Sequence, residues 1–155
     1  VNFEPFDTSL IVQRLREQVP ELQFVGGAAD YAAVKELSSF RPPSAYVVFA
    51  EETNTGKFPA APGVCIQSCT TQIGVVLALR HYREQRGDQM QQEARQLVGA
   101  VRVALIGHKP ASHGASPVSW VSGKVLDYDA GVLLFADLYQ LHNTLHKDGP
   151  QACAR

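Results

Sequence analysis

The chain has 155 residues and a mass of 16.9 kDa, which suits one domain around one continuous core. Apolar residues at 45% and charged residues at 19% are the proportions of an ordinary soluble globule and exclude a disordered chain. Its 14 basic and 15 acidic side chains leave a formal net charge of -1, so the cationic excess of a nucleic-acid-binding module or a polybasic membrane patch is missing.

Asp7 and Thr8 offer caps for a helix over 9–18 with Ile11, Leu15 and Val19 on one face, stopped by Pro20. A short strand over 22–25 is expected to close at Gly26-Gly27, where positive φ is cheap, and Asp30 to cap a second helix over 31–38. Pro42-Pro43 forces extended backbone into the run 44–50, apolar on both faces and so read as a central strand. Residues 51–63 form a polar excursion bearing Pro and Gly, long for a hairpin and a candidate functional loop. Residues 65–82 read as one long strand, with Ile73, Val75, Leu77 and Leu79 in period two. After a turn at Arg86-Gly87, Asp88 is expected to cap the strongest helix. It runs to about residue 106 with an apolar stripe of Ala94, Leu97, Val98, Val101 and Leu105, and Gly107 ends it. A loop over 108–117 leads to two strands, 118–128 and 132 to about 141, paired around Asp129-Ala130-Gly131; residues from Thr144 onward read as a polar tail.

This order predicts an α+β domain: a mixed, mainly antiparallel sheet of about four to five strands with two to three packed helices. Residues 1–147 form the domain and 148–155 a C-terminal tail. No apolar run approaches the roughly 20 residues that span a bilayer. The first residues lack the basic-then-apolar pattern of a signal peptide, and Val1 implies that an initiator Met was removed or lies outside this numbering. Three cysteines are a poor disulfide framework: Cys65 and Cys69, four apart in one strand, would lie about 13 Å from each other, and Cys153 sits in the tail. Folding in a reducing cytoplasm is the consequence.

Every grouping that hints at chemistry has a plainer explanation. His142 and His146 would share a helix face as metal ligands, but two ligands make no site and no carboxylate stands between them. His108 and His113 flank a loop with Ser112 and Ser116, without the oriented third group that nucleophilic catalysis needs. Asp127 and Asp129 suit the turn at 130–131 better than a cation site. Asp137 interrupts an apolar strand, so it is either paired across the sheet or exposed at an interface. Arg80, Arg83 and Arg86, interleaved with Glu84 and Asp88, read as a solvated, self-neutralised turn. Cys65 and Cys69 have no basic neighbour to depress a thiol pKa. No catalytic residue, cofactor or metal follows from these residues.

Several segments, in order, resemble the phage tail terminator family of long-tailed and Mu-like phages. They are the helix containing Phe6-Asp7-Thr8-Ser9-Leu10, then Val25-Gly26-Gly27-Ala28-Ala29-Asp30, then Arg41-Pro42-Pro43-Ser44-Ala45-Tyr46-Val47. The strand with Gly74-Val75-Val76-Leu77-Ala78-Leu79-Arg80 follows, and last Val125-Leu126-Asp127-Tyr128-Asp129-Ala130-Gly131-Val132-Leu133, continuing to Asp137 and His142. The order and spacing carry the resemblance, which covers the chain to about residue 147. It departs from the family at His108, where an aromatic is usual, and near Leu134-Phe135, where a pair of aromatics is.

The resemblance implies a structural virion protein assembled in the host cytoplasm and not an enzyme. Its subunits form a homo-hexameric ring at the head-proximal end of the tail tube, stop tube polymerisation and join the tail to the head-completion (connector) proteins. DNA passes the lumen without specific binding, and no membrane is involved. Glu51, Glu52, Asn54, Lys57 and Phe58 of the loop, Arg80, Arg83 and Arg86 of the turn, and Asp137 are the candidate interface residues, reaching neighbouring subunits or the tube protein. The alternatives are another head–tail joining or tube-like subunit, or a small metal-dependent hydrolase built on His108, His113, Asp127 and Asp129.

Overall fold

The longest apolar alternation in the sequence becomes the spine of the fold. In the computed structural model, which describes residues 3–56, 66–80, 92–112, 114–129 and 131–146, the chain runs through five strands and three α-helices. These are α1 (Ser9–Gln18), β1 (Phe24–Gly27), α2 (Ala28–Ala33), β2 (Ser44–Asn54), β3 (Ile66–Arg80), α3 (Gln92–Leu105), β4 (Ser119–Asp129) and β5 (Val132–His146), with a single 3-10 turn at Leu37–Ser39. The strands form one sheet in the order β1-β2-β3-β5-β4; β1 and β2 are parallel and every other pairing is antiparallel. The expected α+β architecture is therefore the one observed.

β3 and β5 pair over their full 15-residue lengths, from Ile66 opposite His146 to Arg80 opposite Val132. Flanked on both sides by other strands, this pair buries both faces. On one face Ile73, Val75, Leu77 and Leu79 of β3 meet Leu133, Phe135, Tyr139 and Leu141 of β5 beneath α1 and α3, which contribute Ile11, Leu15, Val98, Val101 and Leu105. The other face holds a smaller cluster of Phe40, Tyr46, Val76, Ala78, Val132 and Leu134, against which Tyr31, Val34 and Leu37 pack. Two apolar faces on the central strands are what their near-continuous apolar sequence requires.

Local chemistry sets the element ends. The Asp7 carboxylate accepts from Ser9 N–H at 2.9 Å and satisfies a donor of the first turn of α1. Gly107 adopts φ +82°, the left-handed conformation a helix stop favours, and its N–H donates to Val118 O at 2.8 Å, leading the chain from α3 toward β4.

Several expected boundaries move. Gly26 and Gly27 do not close β1 but lie within it, paired with Tyr46 and Val47. The second helix starts at Ala28, so Asp30 is not its cap; it sits inside the first turn and reaches back to accept from Gly27 N–H at 2.8 Å. β2 continues to Asn54, so Glu51, Glu52 and Asn54 belong to a β2–β3 arm and not to a loop. β5 runs to His146, placing residues 144–146 in the sheet, because the start of β3 supplies them with a hydrogen-bonded partner. The expected turn at 86–87 and cap at Asp88 lie outside the described residues, as do Cys65, Cys153 and the tail 148–155.

Candidate assembly surface

Strand β4 is the long outer edge of the sheet, and every one of its residues is exposed. Its register with β5 slips twice, between Trp120 and Ser122 and between Val125 and Asp127, so Val121 and Leu126 are bulge residues. Each bulge resets the period-two alternation. As a result Trp120, Val125 and Tyr128 stand opposite Tyr139, Phe135 and Leu133, on the helix-covered side of the sheet. They are nevertheless 43%, 48% and 63% exposed, which leaves an apolar row that the subunit's own core does not use.

Asp137 fixes this row to the body of the protein. At 1% exposure, it accepts a bidentate pair from Arg102 of α3, Nε to Oδ2 and Nη2 to Oδ1, both at 2.8 Å. It also accepts from Trp120 Nε1 at 3.0 Å and from the Tyr139 hydroxyl at 3.0 Å. The Arg102 guanidinium lies 4.9 Å from the centre of the Trp120 ring, within cation–π range. Its hydrogen bonds to Asp137 hold the Arg102 pKa above the ordinary value, while burial, then Asp137, pushes the Tyr139 phenol far above its own. Gly123 makes the cluster possible: a β-carbon there would stand 2.5 Å from Asp137 Oδ1 and 2.8 Å from Arg102 Nη2. Of the two fates expected for Asp137, pairing is the one observed, though with a helix and an edge strand; as a fully buried side chain it offers no surface to an interface.

The other expected interface residues fall into two groups at opposite ends of β3. Glu51 and Asn54 are exposed on the arm, and Asn54 Oδ1 accepts from Gly56 N–H at 3.0 Å. Glu52 is half-buried, accepting from Thr71 Oγ1 at 2.8 Å and from Phe6 N–H at 3.3 Å, so it ties the arm to the N-terminal segment. Arg80 is exposed at the far end of β3. It lies eleven residues beyond Cys69, the partner of Asn54, a span of roughly 37 Å at strand rise. Lys57, Phe58, Arg83 and Arg86 lie outside the described residues.

Among the described residues, those weighed for catalysis or metal binding do not gather into one group, although Ser116 and His142 are hydrogen-bonded to each other through main-chain groups and the Ser116 hydroxyl. His142 and His146 lie on a strand, where a spacing of four residues is roughly 13 Å, and His142 Nδ1 pairs with Thr70 Oγ1 at 3.1 Å. His108 accepts from Val118 N–H through its carbonyl, while Asp127 lies nine residues further along, roughly 30 Å away at strand rise. Burial, then the Arg14 charge, lowers the His108 pKa. His113 lies outside the described residues, Ser116 Oγ accepts from His142 N–H at 2.8 Å, and Asp127 Oδ1 accepts from Tyr128 N–H at 2.8 Å. Burial, then Glu52, raises the Cys69 thiol pKa, and Cys69 Sγ donates to the Asn143 carbonyl at 3.4 Å, a packing role. Among the described residues no group of three His, Cys, Asp or Glu side chains could hold a metal ion, and no helix is long and apolar enough to cross a membrane.

The apolar row of β4 is what reading the sequence missed. Its signal was present: the adjacent pairs Trp120-Val121 and Val125-Leu126 break strict alternation, as residues inserted at bulges do.

Comparison with known proteins gives a whole-chain answer. The family model for the phage tail terminator protein matches residues 1–150 of the 155. No curated protein matches the chain. A match over nearly the full length leads to one conclusion: the chain belongs to the phage tail terminator family, structural proteins of the bacteriophage tail.

Proposed function

We propose that this protein caps the head-proximal end of the phage tail tube as a hexameric ring, stops tube polymerisation and presents a surface to the head-completion proteins. The family match over residues 1–150 carries this reading. The fold supports it in two ways. An 11-residue edge strand with an apolar row is a liability in a lone subunit, and a closed ring removes it. The β2–β3 arm and the Arg80 end of β3 stand at opposite ends of the sheet, as suits a subunit that contacts different neighbours at its two ends. The lumen of such a ring passes DNA without gripping it, in keeping with a net charge of -1. The ring works in the virion.

Deletion of residues 54–61 tests the assignment. The shortened protein is expected to keep the fold, measured by circular dichroism, while phage assembly yields tails that fail to join heads, seen by electron microscopy. Normal particles made with the deletion variant contradict the assignment.

A further inference from the structure

The apolar row of β4 borders a groove that runs along α3: Arg102, 4.9 Å from the centre of the Trp120 ring, and Phe135, paired with Val125, both line it. The groove, of about 590 Å³, is lined by α3 and β5, with Gln92, Arg95 and Gly99 among its other residues. Val103 and Ile106, at the C-terminal end of α3, are 83% and 49% exposed. Aromatic and arginine side chains are enriched in protein–protein interface cores, and here Arg95, Arg102 and Phe135 line the groove beside the apolar row of β4.

The occupant is not β4 of a second copy. Symmetric antiparallel pairing about the midpoint of β4 would set Lys124 opposite Lys124, and the bulges at Val121 and Leu126 break the ladder on either side. A ring that closes by rotation instead joins two different surfaces of the same chain. The β2–β3 arm offers the complementary one. Glu51 is exposed there, opposite in charge to Arg95 of the groove lining, and Phe49 and Ile66 add side chains 38% and 51% exposed. The arm does not fill its own groove. Ser119, the first residue of β4, is level with Gln140, Gln72 and Glu51 across the sheet, and the arm continues beyond that line, away from the groove.

The geometry points to a head-to-tail contact in which the α3/β4 groove of one copy receives the β2–β3 arm of the next, with Glu51 facing Arg95. This inference rests on the ring reading and adds the surfaces that form the ring.

Two variants of the full chain test it, Tyr128→Lys in the β4 row that borders the groove and Glu51→Lys in the arm. Both residues are exposed, so both variants are expected to retain the wild-type circular dichroism spectrum. By native mass spectrometry each alone is expected to give monomer where wild type gives hexamer. Mixed in equal amounts, they are expected to give a dimer and nothing larger, because the intact groove of one and the intact arm of the other can meet only once. Adding Arg95→Glu to Glu51→Lys in one chain is expected to restore the hexamer. Hexamers formed by Tyr128→Lys overturn the inference and leave the ring intact, and a mixture that stays monomeric removes the arm as partner. A wild-type chain that remains monomeric overturns the ring reading together with the inference.

Discussion

β4 and β5 lie side by side, hydrogen-bonded to each other and joined by one turn, yet they use their apolar residues in opposite ways. β5 buries Leu133, Phe135, Tyr139 and Leu141 on one face and Val132 and Leu134 on the other, whereas no residue of β4 is buried. Position in the sheet accounts for this. β5 has a strand on each side and helices or aromatic side chains over each face; β4 is an edge, reached from α3 by Arg102 over the Trp120 ring. The apolar content of β5 serves folding. That of β4 stays largely exposed, with the Trp120 indole tied to Asp137.

The sharpest way to break this contrast is to remove one side chain from the centre and one from the edge. Leu77, fully buried where β3 meets β5, is expected to lose about 2–5 kcal/mol on Leu77→Ala. Tyr128→Ser is expected to stay within about 0.5 kcal/mol. Urea unfolding at a protein concentration too low for assembly measures both, and equal losses would make β4 part of the core after all.

Next in size is the link between the two regions. Asp137→Ala leaves the Arg102 guanidinium, the Trp120 indole N–H and the Tyr139 hydroxyl without their shared acceptor. A cost of about 3 kcal/mol is expected, at the low end for a broken buried pair because the Arg102 side chain is 34% exposed. Hydrogen exchange should show the amides of β4 losing protection more than those of β3; a uniform loss would mean that the cluster stabilises the whole fold and not the edge in particular.

The smallest effect concerns pH. His108, where the chain leaves α3 for β4, has a folded pKa below its ordinary 6.5. The unfolded chain therefore binds a proton more readily than the folded one, so the contribution of a neutral His108 is complete above that value and is lost as pH falls through and below it. His108→Gln is expected to flatten the decline in thermal midpoint between about pH 6.5 and pH 5; an unchanged slope would assign that decline to other groups.

Much of the centre was legible in the sequence and much of the edge was not. The alternation of Ile73, Val75, Leu77 and Leu79 and the helical stripe from Ala94 to Leu105 are local periodic signals, and both became core. Gly26-Gly27 read as a turn because glycine permits one, but pairing with Tyr46 and Val47 claims them for a strand. Residues from Thr144 onward read as a tail because most of them are polar; β3, paired opposite residues 144–146, makes those strand. The partner of Asp137 stands on α3, 35 residues away, and local patterning cannot supply it. Likewise, the row on β4 emerges once both bulges are placed, and those depend on register with β5. Of the interface residues expected from sequence, Glu51, Glu52 and Asn54 lie on the arm, Arg80 at the other end of β3 and Asp137 buried beside β4, whereas the apolar row lies on β4 itself.

The claim on which this account depends most is that subunits close into a ring through surfaces that folding leaves unused. The mass of the purified wild-type protein in solution, measured by native mass spectrometry across a concentration series, tests it most directly. The expected result is a discrete species of six times the 16.9 kDa chain, with no growing ladder of intermediates. A monomer at every concentration, or an open-ended series of polymers, would contradict it.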